Sequence, residues 1–301
     1  MNEGAKGLRS ECITDDESQT AYFRLIPSPR RYSRVEHDGE VLYVDKYLHY
    51  AISEESIMQS CKDQLAGQPV YHLAGSIDST PDYAVARKNA LDMELDGGSY
   101  AAPAEEAIQH SPLKEETRSL SFLSVDICGG TALRRADPKA FERTYLIFLR
   151  ELGTLVGQFG GTILKTTGDG FISYIDYPAF TQQCDKIIDL GLSCLVMMRE
   201  SINPALSKAN LPTLQIRIGA DYGEAQIRHL NIPVTGFSET EVASDALNRA
   251  VKLEQATGKD EFWIGRCLYE LIHVQYLEIA QEVQFDGSSI GLEGYKVYRM
   301  S

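Results

Sequence analysis

The last three-fifths of the chain predict an α+β fold: a ferredoxin-like β-α-β-β-α-β unit with helices over one face of an antiparallel sheet. Three observations predict it. The apolar run "SLSFLSVDI" reads as a buried strand that ends at Asp126, just before a Gly-rich turn. After Pro138, apolar residues recur at helical spacing: Phe141, Tyr145, Phe148, Leu149, Leu152, Leu155, Val156 and Phe159, stopped by Gly160-Gly161. The stretch "ILKTTGDGFISY" then sets apolar arms on either side of a Gly168-Asp169-Gly170 turn, the pattern of a β-hairpin.

The remaining elements follow in order. Residues 1 to about 20 are polar and acidic and read as disordered. From Ala21 to about Ser60 the chain is Tyr-rich and partly alternating, which predicts two or three strands with a Pro-rich turn. Residues 75 to 117 mix Gly, Pro and Ser around one short helical segment and read as a connection. Beyond the hairpin, a second helix runs from about Pro178 to Asn203, with Ile187, Ile188, Leu192, Leu195 and Val196 inward. "LQIRIGADYG" alternates as a strand and "EAQIR" reads as its partner. Ser244 can cap a helix to about Thr257, "EFWI" is a short strand, "CLYELI" a short helix, and "GLEGYKVYRM" a closing strand. The organisation is an N-terminal extension over 1–117 and a folded domain over 118–301.

Composition narrows the function. No apolar run approaches the roughly 20 residues that span a bilayer, and the first residues lack the apolar core of a signal peptide, so a cytoplasmic location is expected. Six cysteines, at 12, 61, 128, 184, 194 and 267, show no metal-site spacing and are expected as reduced thiols. A formal charge of −14 disfavours nucleic acid as a partner, since phosphate-backbone binding needs a basic surface. The basic run "SPRRYSR" (Arg30, Arg31, Arg34) reads as a solvated turn, with a phosphate or partner contact as the sharper alternative.

Two carboxylates carry the chemistry. Asp126 ends an apolar strand and Asp169 tips a hairpin expected beside it; two acids at adjacent strand ends suggest a cation between them. Oxygen ligands point to Mg²⁺ or Mn²⁺, which take a couple of carboxylates plus substrate phosphates. The Gly129-Gly130-Thr131 turn can then offer backbone N–H groups to a phosphate tail.

These residues carry a family resemblance. "FLSVDICGGT" resembles the first metal-binding strand of class III nucleotidyl cyclases, the adenylate and guanylate cyclase family, and "GGTILKTTGDGFISYI" is similar to their second metal-binding hairpin. "IRIGADYGEA", "TEVASDALNRAVKLEQ" and "LEGYKVYRM" follow in the family's order, so the resemblance runs from about Ser119 to Ser301. It implies that Asp126 and Asp169 hold two divalent metal ions, Mg or Mn, with the backbone carbonyl of Ile127 as a further ligand. It implies that Lys165 and Glu241 contact the base and Asn248 orients the ribose. Lys252 takes the place of an arginine that stabilises the α-phosphate in the transition state. On a helix Asn248 and Lys252 lie about 40° apart, whereas Arg249 lies about 100° from Asn248 and is the weaker candidate for that work. The resemblance further implies a homodimer with shared active sites, Asp126 and Asp169 from one subunit and Lys165, Glu241, Asn248 and Lys252 from the other.

Lys165 donates and Glu241 accepts, so adenine or cytosine suits the pair; uracil reverses both atoms, with its O4 still in reach of Lys165, and guanine would want an acid at 165. Glu241 stands where an aspartate is usual, and its extra methylene can bridge to a smaller pyrimidine ring. The layout, a short extension with Asn-x-x-x-Lys and no sensor or anchor, is similar to bacterial pyrimidine cyclases of antiphage defence. The expected reaction converts UTP or CTP to cyclic UMP or cyclic CMP, for a downstream effector that the chain does not contact directly. Cyclic AMP synthesis is one alternative and an inactive nucleotide-binding homologue another. Diguanylate cyclases are disfavoured because Gly168-Asp169-Gly170-Phe171 lacks their signature turn, and a P-loop is excluded because Gly258-Lys259 leads into Asp260 with no Gly at 253.

Overall fold

Turn chemistry organises the N-terminal region. A computed structural model describes residues 8–15, 20–56, 77–105, 113–176 and 181–301. Contacts divide the chain into two units: residues 1–73 with 273–278, and residues 74–272 with 279–301. In the smaller unit, β1 (Leu8–Asp15) pairs antiparallel with β2 (Thr20–Pro27). Residues 8–15 therefore form a strand where composition alone reads as disorder; ladder pairing supplies the order that a polar segment lacks by itself. A second sheet joins β3 (Tyr32–His37), β4 (Glu40–Asp45) and β5 (Ala51–Ser53). Asp38 and Gly39, with φ of 51° and 81°, close the β3–β4 hairpin as a two-residue turn whose left-handed residue conformations match the right-handed twist of the strands.

The arginines of "SPRRYSR" are spent within this unit. Arg31 is buried against Asp45 at 2.7 Å, Arg30 pairs with Glu278 at 2.6 Å, and Arg34 pairs with Glu36 at 2.9 Å. Asp45 also accepts the Tyr47 and Leu48 N–H groups, so the Arg31 pair pins a turn. The run is a structural corner, neither a wholly solvated turn nor an open phosphate patch.

The larger unit begins with α1 (Thr80–Leu95), 16 residues long, capped by Ser79 with Pro81 in its first turn. It is longer than expected because its apolar residues do not repeat at helical spacing. It buries Tyr83, Ala84 and Leu91 and adds a polar clasp: buried Arg87 forks onto buried Glu151 at 2.8 and 3.1 Å.

Next come β6 (Glu116–Ile127), α2 (Gly130–Ala136), α3 (Pro138–Gln158), β7 (Gly161–Thr166) and β8 (Phe171–Ile175). Asp137 caps α3 by accepting the Ala140 N–H at 3.0 Å. After α4 (Thr181–Met197) and α5 (Asn203–Lys208) the chain forms β9 (Ile216–Ile232), β10 (Phe237–Ala243) and α6 (Asp245–Ala256), capped by Ser244. It closes with β11 (Glu261–Gly265), α7 (Arg266–Tyr269), β12 (Ala280–Glu282) and β13 (Val297–Met300). "LQIRIGADYG" and "EAQIR" belong to one 17-residue strand, and the partner of its second half is β10. Gly223 is no turn residue: a Cβ there would lie 3.0 Å from Ala246, so it makes room for α6.

The strand order is β12-β13-β11-β9-β6-β8-β7, with β10 on β9. Its β9-β6-β8-β7 section is the expected antiparallel ferredoxin-like core. The expectation of an antiparallel sheet with helices on one face needs two corrections. β11 joins β9 in parallel, which makes the sheet mixed. α6 covers the opposite face from α3 and α4. Leu120 and Phe122 of β6 point to Ala246, Leu247 and Ala250 of α6, while Ser121 points to Cys184 of α4, and Phe171, opposite Val125, packs on Phe148 of α3. Gly219 allows this close seating, since a Cβ there would overlap the Ala250 carbonyl and the Glu254 backbone.

Candidate active site

Strand pairing brings Asp126 and Asp169 together. Asp126 is the penultimate residue of β6, and its neighbour Val125 pairs with Phe171 of β8, two residues after Asp169. Glycines make the space. A Cβ at Gly130 would overlap Asp169 Oδ2, and one at Gly170 would overlap the Val125 carbonyl and sit 3.0 Å from Asp126 Oδ1. Gly168 (φ 80°) and Gly129 (φ 72°) take the left-handed conformation that the hairpin tip and the start of α2 require. Burial, first, and the neighbouring Asp169 carboxylate push the Asp126 pKa up, while Arg217 pulls it down.

Arg217 was not legible as part of this site. It stands opposite Asp126 across the β6–β9 ladder, 2.7 Å from Asp126 Oδ2 and 2.6 Å from Glu254 Oε1. Glu254 is raised to about 7 by burial and by Asp126, against the pull of Arg217. Arg217 thus holds one oxygen of Asp126 and leaves Oδ1 beside Gly170. Among the described residues no group of three or more His, Cys, Asp or Glu is arranged to hold a metal. Two hard carboxylates in a glycine-lined notch nevertheless fit Mg²⁺ or Mn²⁺, which use few protein ligands when phosphates complete the shell. Ile127, the last residue of β6, adjoins the notch.

A separate cavity of about 810 Å³ lies between β7, the β9–β10 ribbon and the start of α6, a size usual for small-molecule sites. Lys165, Glu241, Asn248 and Arg249 line it; Asp126 and Asp169 do not. A β-bulge between Ile163 and Lys165 resets the β7–β8 register one residue before Lys165. Among the described residues Lys165 has no hydrogen-bond or ion-pair partner. Glu241 pairs with Arg228, directly opposite on β9.

The two cations on α6 differ in setting. Lys252 lies outside the cavity lining and its Nζ donates to the Ile290 carbonyl. Arg249 lines the cavity beside Asn248; its guanidinium pairs with buried Asp221, donates to the Tyr222 carbonyl at 3.2 Å and lies 5.4 Å from the Tyr295 ring centre. Tyr295 also donates to Asp221, at 2.7 Å. Burial raises the Asp221 pKa, opposed by Arg249 and Tyr295. Asp221 was missed from sequence because it lies within an alternating strand that reads as ordinary β-structure.

No family model matches the chain, and no curated protein matches it in sequence. Solved structures do resemble it. The adenylyl cyclase CyaB from P. aeruginosa is 18% identical with a TM-score of 0.54, over 63% of this chain and 96% of that one. The guanylate cyclase domain of RhGC from Catenaria anguillulae, in complex with GTP, is 17% identical with a TM-score of 0.53, over 62% and 98%. A non-canonical dimeric guanylyl cyclase domain of the RhoGC fusion protein from Blastocladiella emersonii is 16% identical with a TM-score of 0.50, over 62% and 97%. The larger unit therefore has the class III cyclase fold. Among the described residues no helix is long and apolar enough to cross a membrane.

Proposed function

We propose that the chain is a nucleotidyl cyclase that converts a nucleoside triphosphate, UTP or CTP, to the 3′,5′-cyclic monophosphate and pyrophosphate. The observation that carries this reading is the glycine-lined meeting of Asp126 and Asp169 on a sheet of cyclase fold. The 3′-oxygen attacks the α-phosphorus, the bond to the β-phosphate oxygen breaks, and pyrophosphate leaves. Asp126 and Asp169, with the Ile127 carbonyl, would hold two Mg²⁺ or Mn²⁺ ions, and the Gly129-Gly130-Thr131 turn would meet the phosphate tail. Such ions, when bound, favour the 3′-alkoxide and neutralise charge on the triphosphate. Asn248 orients the ribose, and Lys165 and Glu241 contact the base. Lys252 supplies positive charge at the α-phosphate after leaving the Ile290 carbonyl.

The separation of the carboxylate notch from the cavity with Lys165, Glu241 and Asn248 supports composite sites in a homodimer. Each site takes the notch of one subunit and the cavity of the other. The product serves as a second messenger in a cytoplasmic antiphage response, read by a separate effector. Cyclic AMP synthesis is the second reading, favoured by a donor at 165 and an acceptor at 241. Product analysis with ATP, GTP, CTP and UTP plus Mn²⁺ tests both. Cyclic UMP or cyclic CMP is expected; cyclic AMP alone would replace the pyrimidine reading, and no cyclic product would overturn the enzyme.

A further inference from the structure

The guanidinium of Arg217 is divided between two carboxylates. Its Nη2 donates to Asp126 Oδ2 at 2.7 Å, and its Nε lies 2.6 Å from Glu254 Oε1. Nε and Nη2 point the same way from one edge of the planar group, and such an edge can take both oxygens of a single carboxylate. Here Asp126 receives one donor of that edge and Glu254 the other. Asp126 Oδ1 stays in the notch, 3.0 Å from where a Cβ on Gly170 would stand.

The fold places Glu254 for this division. Ser124 and Asp126 lie two residues apart on β6 and share a face, as do their ladder partners Gly219 and Arg217. α6 seats on that face because Gly219 has no side chain; a Cβ there would overlap the Glu254 backbone. The Glu254 side chain, 6% exposed, is thereby held beside Arg217, and its Oε2 accepts from the Ser124 hydroxyl at 3.5 Å. A carboxylate so deeply buried needs a cation, and Arg217 is its ion-pair partner among the described residues. Arg217 is the looser member of the pair, at 30% exposed, so it is the group that turns if the pair is broken.

We infer that Glu254 is a positioning residue of the carboxylate notch: by holding Nε of Arg217 it keeps the guanidinium from closing on both oxygens of Asp126, and so leaves Oδ1 open to a divalent cation. This rests on the metal reading of the notch given above and adds a residue that touches neither metal nor nucleotide. The test is Mn²⁺ binding to the full chain without nucleotide, read from the paramagnetic resonance of the free ion. It is run at pH 8, above the value of about 7 to which burial raises Glu254. Glu254→Gln keeps the shape and removes the charge, and it should weaken Mn²⁺ binding by about tenfold. In an Arg217→Gln background the same change should shift binding by no more than about twofold, because no guanidinium remains to close on Asp126. Should Arg217→Gln fail to fold by circular dichroism, Arg217→Lys serves in its place. Its single ammonium has no forked edge, so Glu254→Gln should again shift binding by no more than about twofold. A similar loss in both backgrounds makes Glu254 a distant charge or a fold support and overturns the inference. Binding that needs Asp169 but is undiminished in Glu254→Gln also overturns it, and leaves the metal reading standing. Binding that persists in Asp169→Ala, or is absent from the wild type, removes the metal reading and the inference with it.

Discussion

Gly130→Ala tests the carboxylate notch without removing a carboxylate. The added Cβ would overlap Asp169 Oδ2 and lie 3.0 Å from Cγ and 3.2 Å from Cβ of the same side chain. Rotating the carboxyl group alone does not relieve contacts to both carbons, so Asp169 must move by roughly 1 Å to regain ordinary packing distance. Gly130 opens α2 and has no positive φ, so alanine imposes no backbone strain there. Replacing a helical glycine by alanine favours the fold by about 0.4–1 kcal/mol. Stability and activity should therefore separate. Thermal melting should be unchanged or slightly higher, while Mn²⁺-dependent cyclic nucleotide formation falls about 100-fold, the effect expected of a misplacement near 1 Å. Melting by circular dichroism and product formation by chromatography on one preparation read both. Full activity in a normally folded variant would refute the claim that Asp169 works from its place against Gly130.

Two further predictions concern the scaffold. Arg87→Ala leaves Glu151 buried with Arg150, at 3.1 Å, as its one remaining ion-pair partner among the described residues. It should cost about 3 kcal/mol, lowering Tm by about 6–12 °C for a unit of this size; an unchanged Tm would contradict the clasp. Burial pushes the thiols of Cys184 and Cys194 up to about 12, so neither should be alkylated by iodoacetamide at pH 8 in the folded protein. The folded state then holds these protons more tightly than the unfolded state, so stability should fall as pH rises above about 9 toward 12. Rapid labelling of either residue, by mass spectrometry, would contradict their burial.

Much of the larger unit was legible because its signals are local. The apolar stripe of α3, the Gly-Asp-Gly turn and the Ser244 cap each reside in a few neighbouring residues. Asp126 and Asp169 stood out for the same reason, as lone acids at the ends of apolar strands. What was illegible depends on register and long-range contact. Arg217 joins Asp126, and Arg228 joins Glu241, only through ladder partners that a linear pattern does not reveal. α1 escaped full notice because Arg87 interrupts the face on which Tyr83, Ala84 and Leu91 are buried, and the ion pair with Glu151 of α3 that lets it be buried there is a long-range contact. The parallel entry of β11 and the seating of α6 on the opposite face follow from packing around Gly219, invisible as a lone glycine in a strand.

Mixing two inactive variants tests the composite-site enzyme most directly. Asp169→Ala removes a carboxylate from the notch and Asn248→Ala removes a side chain from the cavity, so each homodimer should be inactive with every nucleotide. Subunits exchanged at equal concentration give about half heterodimers, each with one intact site of two, and so about a quarter of wild-type cyclic nucleotide production. Recovery near that level is the predicted result. No recovery despite demonstrated heterodimers, or activity in either variant alone, would contradict the account.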